Sequence, residues 1–194
     1  MTKLIGFNKV RTAVFISGRG SNLKSLIKFS KLKISPITID LIVSNNKKSK
    51  GLVLSKIYKI KKKILNFNDI KETEKELIKL LKENKIHLIC LAGFMRILSK
   101  NFINKYDGRI LNIHPSLLPK YKGLNTHERA IQNNEKYSGC TVHFVNSKLD
   151  SGKIILQKKV KIYKSDNPKK LAKRILRQEH LIYPQAIKKV IFSL

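Results

Sequence analysis

The sequence predicts an α/β fold: a mostly parallel central sheet with helices on both faces and a long C-terminal helix. Three observations predict it. Strand-length apolar runs alternate with amphipathic helical stretches over the first half of the chain. Those runs are nearly continuous in apolar character, as expected of strands covered on both faces. No Pro/Gly/Ser-rich linker and no internal repeat interrupts the 194 residues, so one domain of two halves is the simplest organisation.

Residues 12 to 17 (TAVFIS) read as a short buried strand. Gly18 to Asn22 then turn the chain into an amphipathic helix with Leu23, Leu26, Ile27 and Ile34. Residues 37 to 43 (ITIDLIV) form a second strand and 64 to 67 a short third. Residues 70 to 84 are a charged helix with Leu77, Leu80 and Leu81 on one face, and 87 to 93 (HLICLAG) a fourth strand. This first half is Rossmann-like. A strand from Arg109 to Ile113, a Pro-rich loop from Pro115 to Gly123 and a helix near His127 to Gln132 follow. Cys140 to Val145 and Lys153 to Val160 read as two strands around a turn at Asp150, Ser151 and Gly152. A helix from 167 to about 190 closes the chain. Residues 1 to 11 read as a short tail, since they hold no apolar core of signal-peptide length.

Composition narrows the class. The 42% hydrophobic content suffices for a sizeable core without staples, and Cys90 and Cys140 sit in apolar stretches where a cysteine acts as a small hydrophobe. A reducing, cytoplasmic setting follows. Apolar runs fall far short of the roughly 20 residues that span a bilayer. The net charge of +30 is of the kind that attracts nucleic acid or acidic metabolites. Only seven of the 42 basic residues are Arg, however, the Lys are scattered, Trp is absent and aromatics are 7%. That composition lacks the bidentate readers and stacking platforms of a specific nucleic-acid binder.

Three constellations carry possible chemistry. In Ser17-Gly18-Arg19-Gly20-Ser21-Asn22, backbone N–H groups at a helix start and glycines permitting close approach suit an anion. The pattern is neither GxGxxG nor a P-loop, so a small phosphorylated substrate suits it better than a dinucleotide. Equally, it is an ordinary strand-to-helix turn. In Asn112-Ile113-His114-Pro115, at the carboxyl end of a strand, side chains two apart face the same way, so an amide and an imidazole reach one pocket. An amide donor beside an imidazolium suits a developing oxyanion. Asp150 is one of the few carboxylates in a basic half; near His114 it would raise the imidazole pKa and orient the ring. His87, His127, His143 and His180 lack metal spacing, and no HExxH or paired Cys is present, so no metal is expected.

Together, SGRGSNL at 17–23, LAGFMRIL at 91–98, LNIHPSLLPKYKGLNTH at 111–127, HFVNSKLDSGKIILQ at 143–157 and QEHLIYP at 178–184 resemble the glycinamide ribonucleotide formyltransferase family. The resemblance covers nearly the whole chain, in the family's order. It implies a formyltransferase domain over 12–194, with a nucleotide-phosphate-binding half at 12–106 and a catalytic and folate-binding half at 107–194. It implies transfer of the formyl group of 10-formyltetrahydrofolate, a cosubstrate, to the amine of glycinamide ribonucleotide, without metal, in purine biosynthesis. Carried over by position, Asn112, His114 and Asp150 are the catalytic trio. Gly20, Ser21, Asn22 and Glu179 hold the nucleotide. Met95, Arg96, Ile97 and Leu98, with Asn112, Asn146, Ser147, Lys148, Leu149 and Asp150, line the folate pocket. Asp150 is expected to keep His114 charged. Small-molecule substrates are the expected partners, with no specific nucleic acid and no membrane, in a monomer or weak homodimer.

The chain departs from that pattern at three places. The family's folate-contacting Arg falls near Ile70 and Lys71; a polar phosphate contact falls on Leu176, leaving Arg174 or Arg177 to substitute; and Lys153 stands in place of a Pro. Methionyl-tRNA formyltransferase and formyltetrahydrofolate hydrolase share the trio. The loop PKYKGLNTH, and the expectation of no added domain on either side, favour the nucleotide acceptor.

Overall fold

A computed structural model describes residues 8–192. Seven strands form one sheet in the order β3-β2-β1-β4-β5-β6-β7. The chain runs β1 (Val10–Ile16), α1 (Ser21–Ser30), β2 (Ile37–Ser44), a 3-10 turn (Lys50–Leu52), α2 (Val53–Tyr58), β3 (Lys61–Ile64), α3 (Ile70–Glu83) and β4 (Leu88–Leu91). It continues α4 (Lys100–Lys105), β5 (Arg109–His114), α5 (Thr126–Gln132), β6 (Tyr137–Phe144), β7 (Ile154–Lys161) and α6 (Pro168–Phe192). The first five strands pair in parallel; β6 adds antiparallel to β5, and β7 antiparallel to β6.

The sheet is buried on both faces, and β1 shows how. Val14 and Ile16 pack with Leu23, Leu26 and Ile27 of α1 and Leu171, Ile175 and Ile187 of α6. Ala13 and Phe15, pointing the other way, pack with Leu77 and Leu81 of α3 and Phe102 of α4. Both thiols are core atoms, and burial pushes Cys90 and Cys140 up to about 12. The helix α6 runs through Pro184, which cannot donate to the His180 carbonyl. The Ser25 hydroxyl of α1 donates to that carbonyl instead, at 3.2 Å.

Several boundaries differ from the sequence expectation. The strand β1 starts at Val10, which pairs with Ile37, and Arg11 forms an ion pair with Asp40, so residues 10 and 11 belong to the sheet rather than to a tail. The rest of the expected tail, residues 1 to 7, lies outside the described residues. The third strand is Lys61–Ile64, not 64–67. As an edge strand it tolerates lysines, while Leu65 and Phe67 enter the core beyond its end. The short helices α2 and α4 carry too little periodic signal to be predicted. Ile34 lies past the end of α1 and is exposed. No helix among the described residues is long and apolar enough to cross a membrane.

Candidate active site

Strand order reverses between β1 and β4, and ligands of open α/β sheets bind beyond the carboxyl ends of strands at such a point. Here the start of α1, the loop after β4 and the end of β5 converge on a cavity of about 740 Å3. Asn22 and Glu179 line it, together with Met95, Arg96, Ile97 and Leu98 and with Asn146, Ser147, Lys148 and Leu149, and Asn112, His114 and Asp150 lie in the wall as well. Gly20 and Ser21 lie outside its lining, at the root of α1.

The trio is assembled from two distant segments. Asn112 and His114 belong to the last residues of β5, while Asp150 lies in the loop between β6 and β7, where its φ is 44°. The next residue but one, Gly152, lies so close to β6 that a Cβ there would stand 1.7 Å from the Phe144 carbonyl oxygen. Asp150 Oδ2 lies 3.3 Å from His114 Nδ1 and accepts the Gly123 N–H at 2.9 Å. Its Oδ1 lies 3.4 Å from Asn112 Nδ2 and 3.6 Å from His143 Nε2.

The His114 ring is oriented by its other nitrogen. Tyr121 takes a left-handed φ of 57°, and its carbonyl oxygen lies 2.8 Å from His114 Nε2. A carbonyl only accepts, so Nε2 carries the proton and the lone pair of Nδ1 faces the Asp150 carboxylate in the neutral ring. The loop holding Tyr121 is fixed by the antiparallel strands. Thr141 of β6 donates to the Ser116 carbonyl at 2.7 Å, and Gln157 of β7 donates to the Leu118 carbonyl at 2.8 Å.

Burial is the largest influence on His114 and lowers its pKa below the ordinary value; the Tyr121 carbonyl and Asp150 work in the opposite direction without overcoming it. Burial thus opposes the expectation that Asp150 keeps the imidazole charged. Burial works to raise Asp150, yet His143, the Gly123 N–H and the charge of His114 together hold it below the usual carboxylate range. At neutral pH a carboxylate faces an imidazole ready to take a second proton.

In the cavity wall the Asn22 amide donates to Glu179 Oε2 at 2.7 Å, and Asn22 Oδ1 is buried without a partner among the described residues. Burial pushes the Glu179 carboxyl up, against the Asn22 hydrogen bond. The helix α1 has no side-chain cap and no acidic residue in its first turn, which leaves its leading N–H groups free for an anion. Gly20 is required there: its φ is 74°, and a Cβ would meet Gly51 Cα at 2.6 Å.

Two histidines to which the sequence gives no role, His127 and His143, line the cavity. The β5–β6 register sets His143 opposite Asn112, and His143 Nε2 lies 3.2 Å from the Asn112 amide nitrogen. Only antiparallel pairing of β6 reveals this, since position 143 reads in sequence as an ordinary strand residue. Among the departures, Ile70 and Lys71 stay outside the cavity lining. Arg174 is engaged elsewhere, in an ion pair with Asp166 and a hydrogen bond to the Lys161 carbonyl. It is not free to replace the contact missing at Leu176. No group of three or more His, Cys, Asp or Glu with the geometry of a metal site occurs among the described residues.

Comparison with known proteins places this architecture. The sequence profile of the Formyl transferase family matches residues 10–187. The chain is 41% identical over 181 residues to a phosphoribosylglycinamide formyltransferase of Haemophilus influenzae, covering 92% of this chain and 85% of that protein. It is 42% identical over 185 residues to the human trifunctional purine biosynthetic protein adenosine-3, covering 94% of this chain but only 18% of the longer protein. The crystal structure of phosphoribosylglycinamide formyltransferase from Brucella melitensis superposes with a TM-score of 0.89 at 39% identity, covering 94% of this chain and 96% of that one.

Proposed function

The chain belongs to the formyl transferase family, and on that premise we propose that it transfers the formyl group of 10-formyltetrahydrofolate to the amine of glycinamide ribonucleotide. The products are formylglycinamide ribonucleotide and tetrahydrofolate, in purine biosynthesis. The observation that carries this reading is the junction of three unlike surfaces in one cavity. Asn22 and Glu179, beside an uncapped helix start, suit a nucleotide phosphate and its polar neighbour, exposed Met95, Ile97, Leu124 and Leu149 suit a flat heterocycle and its linker, and Asn112, His114 and Asp150 line the same cavity.

Each residue has a defined task in this reading. The folate supplies the formyl carbon. Asn112 donates a hydrogen bond to the negative charge that develops on the formyl oxygen as the amine adds and the new C–N bond forms, and His114, whose two ring nitrogens face Tyr121 and Asp150, supports that charge as a cation. Asp150 accepts from His114 when the ring takes its second proton, so the imidazolium that burial disfavours at rest is supported as negative charge develops beside it. His114 and Asp150 then hold the proton that leaves the former amine nitrogen and reaches the departing folate nitrogen as the old C–N bond breaks. Met95 to Leu98 and Asn146 to Leu149 bind the folate, while Gly20, Ser21, Asn22 and Glu179 bind the nucleotide. No metal takes part. The setting is cytoplasmic, and the assembly a monomer or weak homodimer.

The test is an assay of the purified protein with 10-formyltetrahydrofolate and glycinamide ribonucleotide, with initiator methionyl-tRNA as a competing acceptor. Tetrahydrofolate release that requires the nucleotide and is indifferent to the tRNA is the expected result. Release without either acceptor would replace this reading with hydrolysis, and dependence on the tRNA would replace it with tRNA formylation.

A further inference from the structure

The two substrate regions share one residue. Ser17 stands at the carboxyl end of β1, where the phosphate turn begins, and it is bonded on three sides. Its N–H donates to the Gly93 carbonyl at 3.1 Å, and its hydroxyl oxygen accepts the Met95 N–H at 2.7 Å. The same hydroxyl donates to Asn45 Oδ1 at 2.5 Å, and the Ser17 carbonyl accepts from the Asn46 amide at 3.2 Å. One side chain thus uses its donor toward the loop after β2 and its acceptor toward the loop after β4.

The loop after β4 is anchored in the core by Phe94, which packs edge-on against Phe15 and Phe67, and by the buried Leu98, while its backbone at Met95 is held to the turn through Ser17. The turn continues through Gly18 and Gly20, and the loop after β4 passes through Gly93, at φ 70°, with open space around it. Beyond that glycine, Met95, Arg96, Ile97 and Leu98 face the cavity. The rest of the turn is clamped to the loop after β2, with the Ser49 hydroxyl and the Gly51 N–H both donating to the Gly18 carbonyl. The Gly93 and Met95 bonds therefore tie two glycine-bearing loops at one point.

We propose that Ser17 is a positioning residue that couples the two substrates: an anion fixed by the turn orders the loop at 93–98, and a folate in that loop orders the turn. This rests on the function proposed above only in naming the ligands. A shared hydrogen-bonded root makes ordering by the first ligand lighten the ordering cost of the second, with no movement of either site. The coupling is reciprocal by linkage, so each ligand tightens the other by the same factor.

The experiment measures tetrahydrofolate binding by calorimetry with and without saturating glycinamide ribonucleotide, in the wild type, Ser17→Ala and Ser17→Thr. Hydrogen exchange across residues 93–97 is followed in parallel. In the wild type the nucleotide is expected to tighten tetrahydrofolate and slow exchange at Met95. Ser17→Ala should reduce the coupling factor about threefold to tenfold, the range of one lost hydrogen bond, and Ser17→Thr, which keeps the hydroxyl, should restore it. Should Ser17→Ala fail to fold, Ser17→Cys, of similar size but a weak acceptor, takes its place. Unchanged coupling in the variant, or exchange at 93–97 indifferent to the nucleotide in the wild type, overturns the proposal. Binding is read without turnover, so a wild type that couples the two ligands but transfers no formyl group would sink the proposed reaction and leave the role of Ser17 standing.

Discussion

Asp150 Oδ2 and His114 Nδ1 face each other at 3.3 Å in a site where both side chains are 7% exposed, and the opposite ring nitrogen of His114 is already bound to the Tyr121 carbonyl. The imidazole is thus held between two acceptors. Its second proton has a place to go but a desolvation cost to meet, which suits a group that is neutral at rest and cationic in the transition state.

Removing Asp150 should leave the ring placed but without its acceptor. For Asp150→Asn, kcat is expected to fall on the order of 100-fold or more, the size of one lost electrostatic stabiliser, with the nucleotide KM little changed. Steady-state kinetics at saturating folate decides it; a variant within about threefold of the wild type would contradict the role given to this carboxylate.

Stability should fall on acidification in a way that involves His114. Its folded pKa is lowered from 6.5, so the unfolded chain takes up the proton first. The contribution is complete above about pH 6.5 and is lost as pH falls from there through the folded value. Asp150, also lowered from its ordinary 3.8, loses its contribution only at still lower pH. Urea unfolding of the wild type and His114→Asn from pH 8 to pH 5 should show a flatter profile for the variant; parallel profiles would mean that His114 does not titrate differently on folding.

Glu179 carries the opposite sign. Its pKa is raised from 4.5 by burial, so it is most favourable when protonated and becomes costly as pH rises through its folded value. Glu179→Gln is therefore expected to unfold at equal or higher urea concentration than the wild type at pH 8, while binding glycinamide ribonucleotide about tenfold more weakly. Calorimetry with the nucleotide tests the second half, and undiminished affinity would remove Glu179 from the acceptor site.

Two glycines near the site should respond differently. A Cβ at Gly152 would overlap the Phe144 carbonyl, whereas at Gly93 it meets nothing within 4 Å and only the φ of 70° opposes it. Gly152→Ala is expected to cost several kcal/mol and to displace Asp150, lowering kcat; Gly93→Ala should cost about 1–2 kcal/mol. Denaturation midpoints of the two variants compare them directly, and equal losses would mean that the close approach at Gly152 relaxes freely.

Much of this was legible in the chain because local periodicity records burial on both faces. The strands around Val14, Leu41 and Ile89 and the face of α3 at Leu77 and Leu81 declare themselves through uninterrupted or evenly spaced apolar residues. The edge strand at Lys61–Ile64 was misplaced for the same reason: a strand with one neighbour and little cover need not be apolar, and the apolar residues just after it belong to the core without being strand. The short α4 is legible only in retrospect, through the Ser99 cap that accepts the Phe102 N–H.

Residue types and spacings alone point to the α/β architecture and to the alignment of Asn112 and His114 on one side of a strand end, and the resemblance to a family adds Asp150 as an expected partner. Tertiary structure decided what those groups are chemically. It brought Asp150 and His143 beside Asn112 by an antiparallel register, turned the Tyr121 carbonyl onto His114, and buried the imidazole so that its pKa falls although a carboxylate is its neighbour. The reason is that residue types and short spacings are local properties, whereas desolvation and cross-strand proximity belong only to the assembled chain.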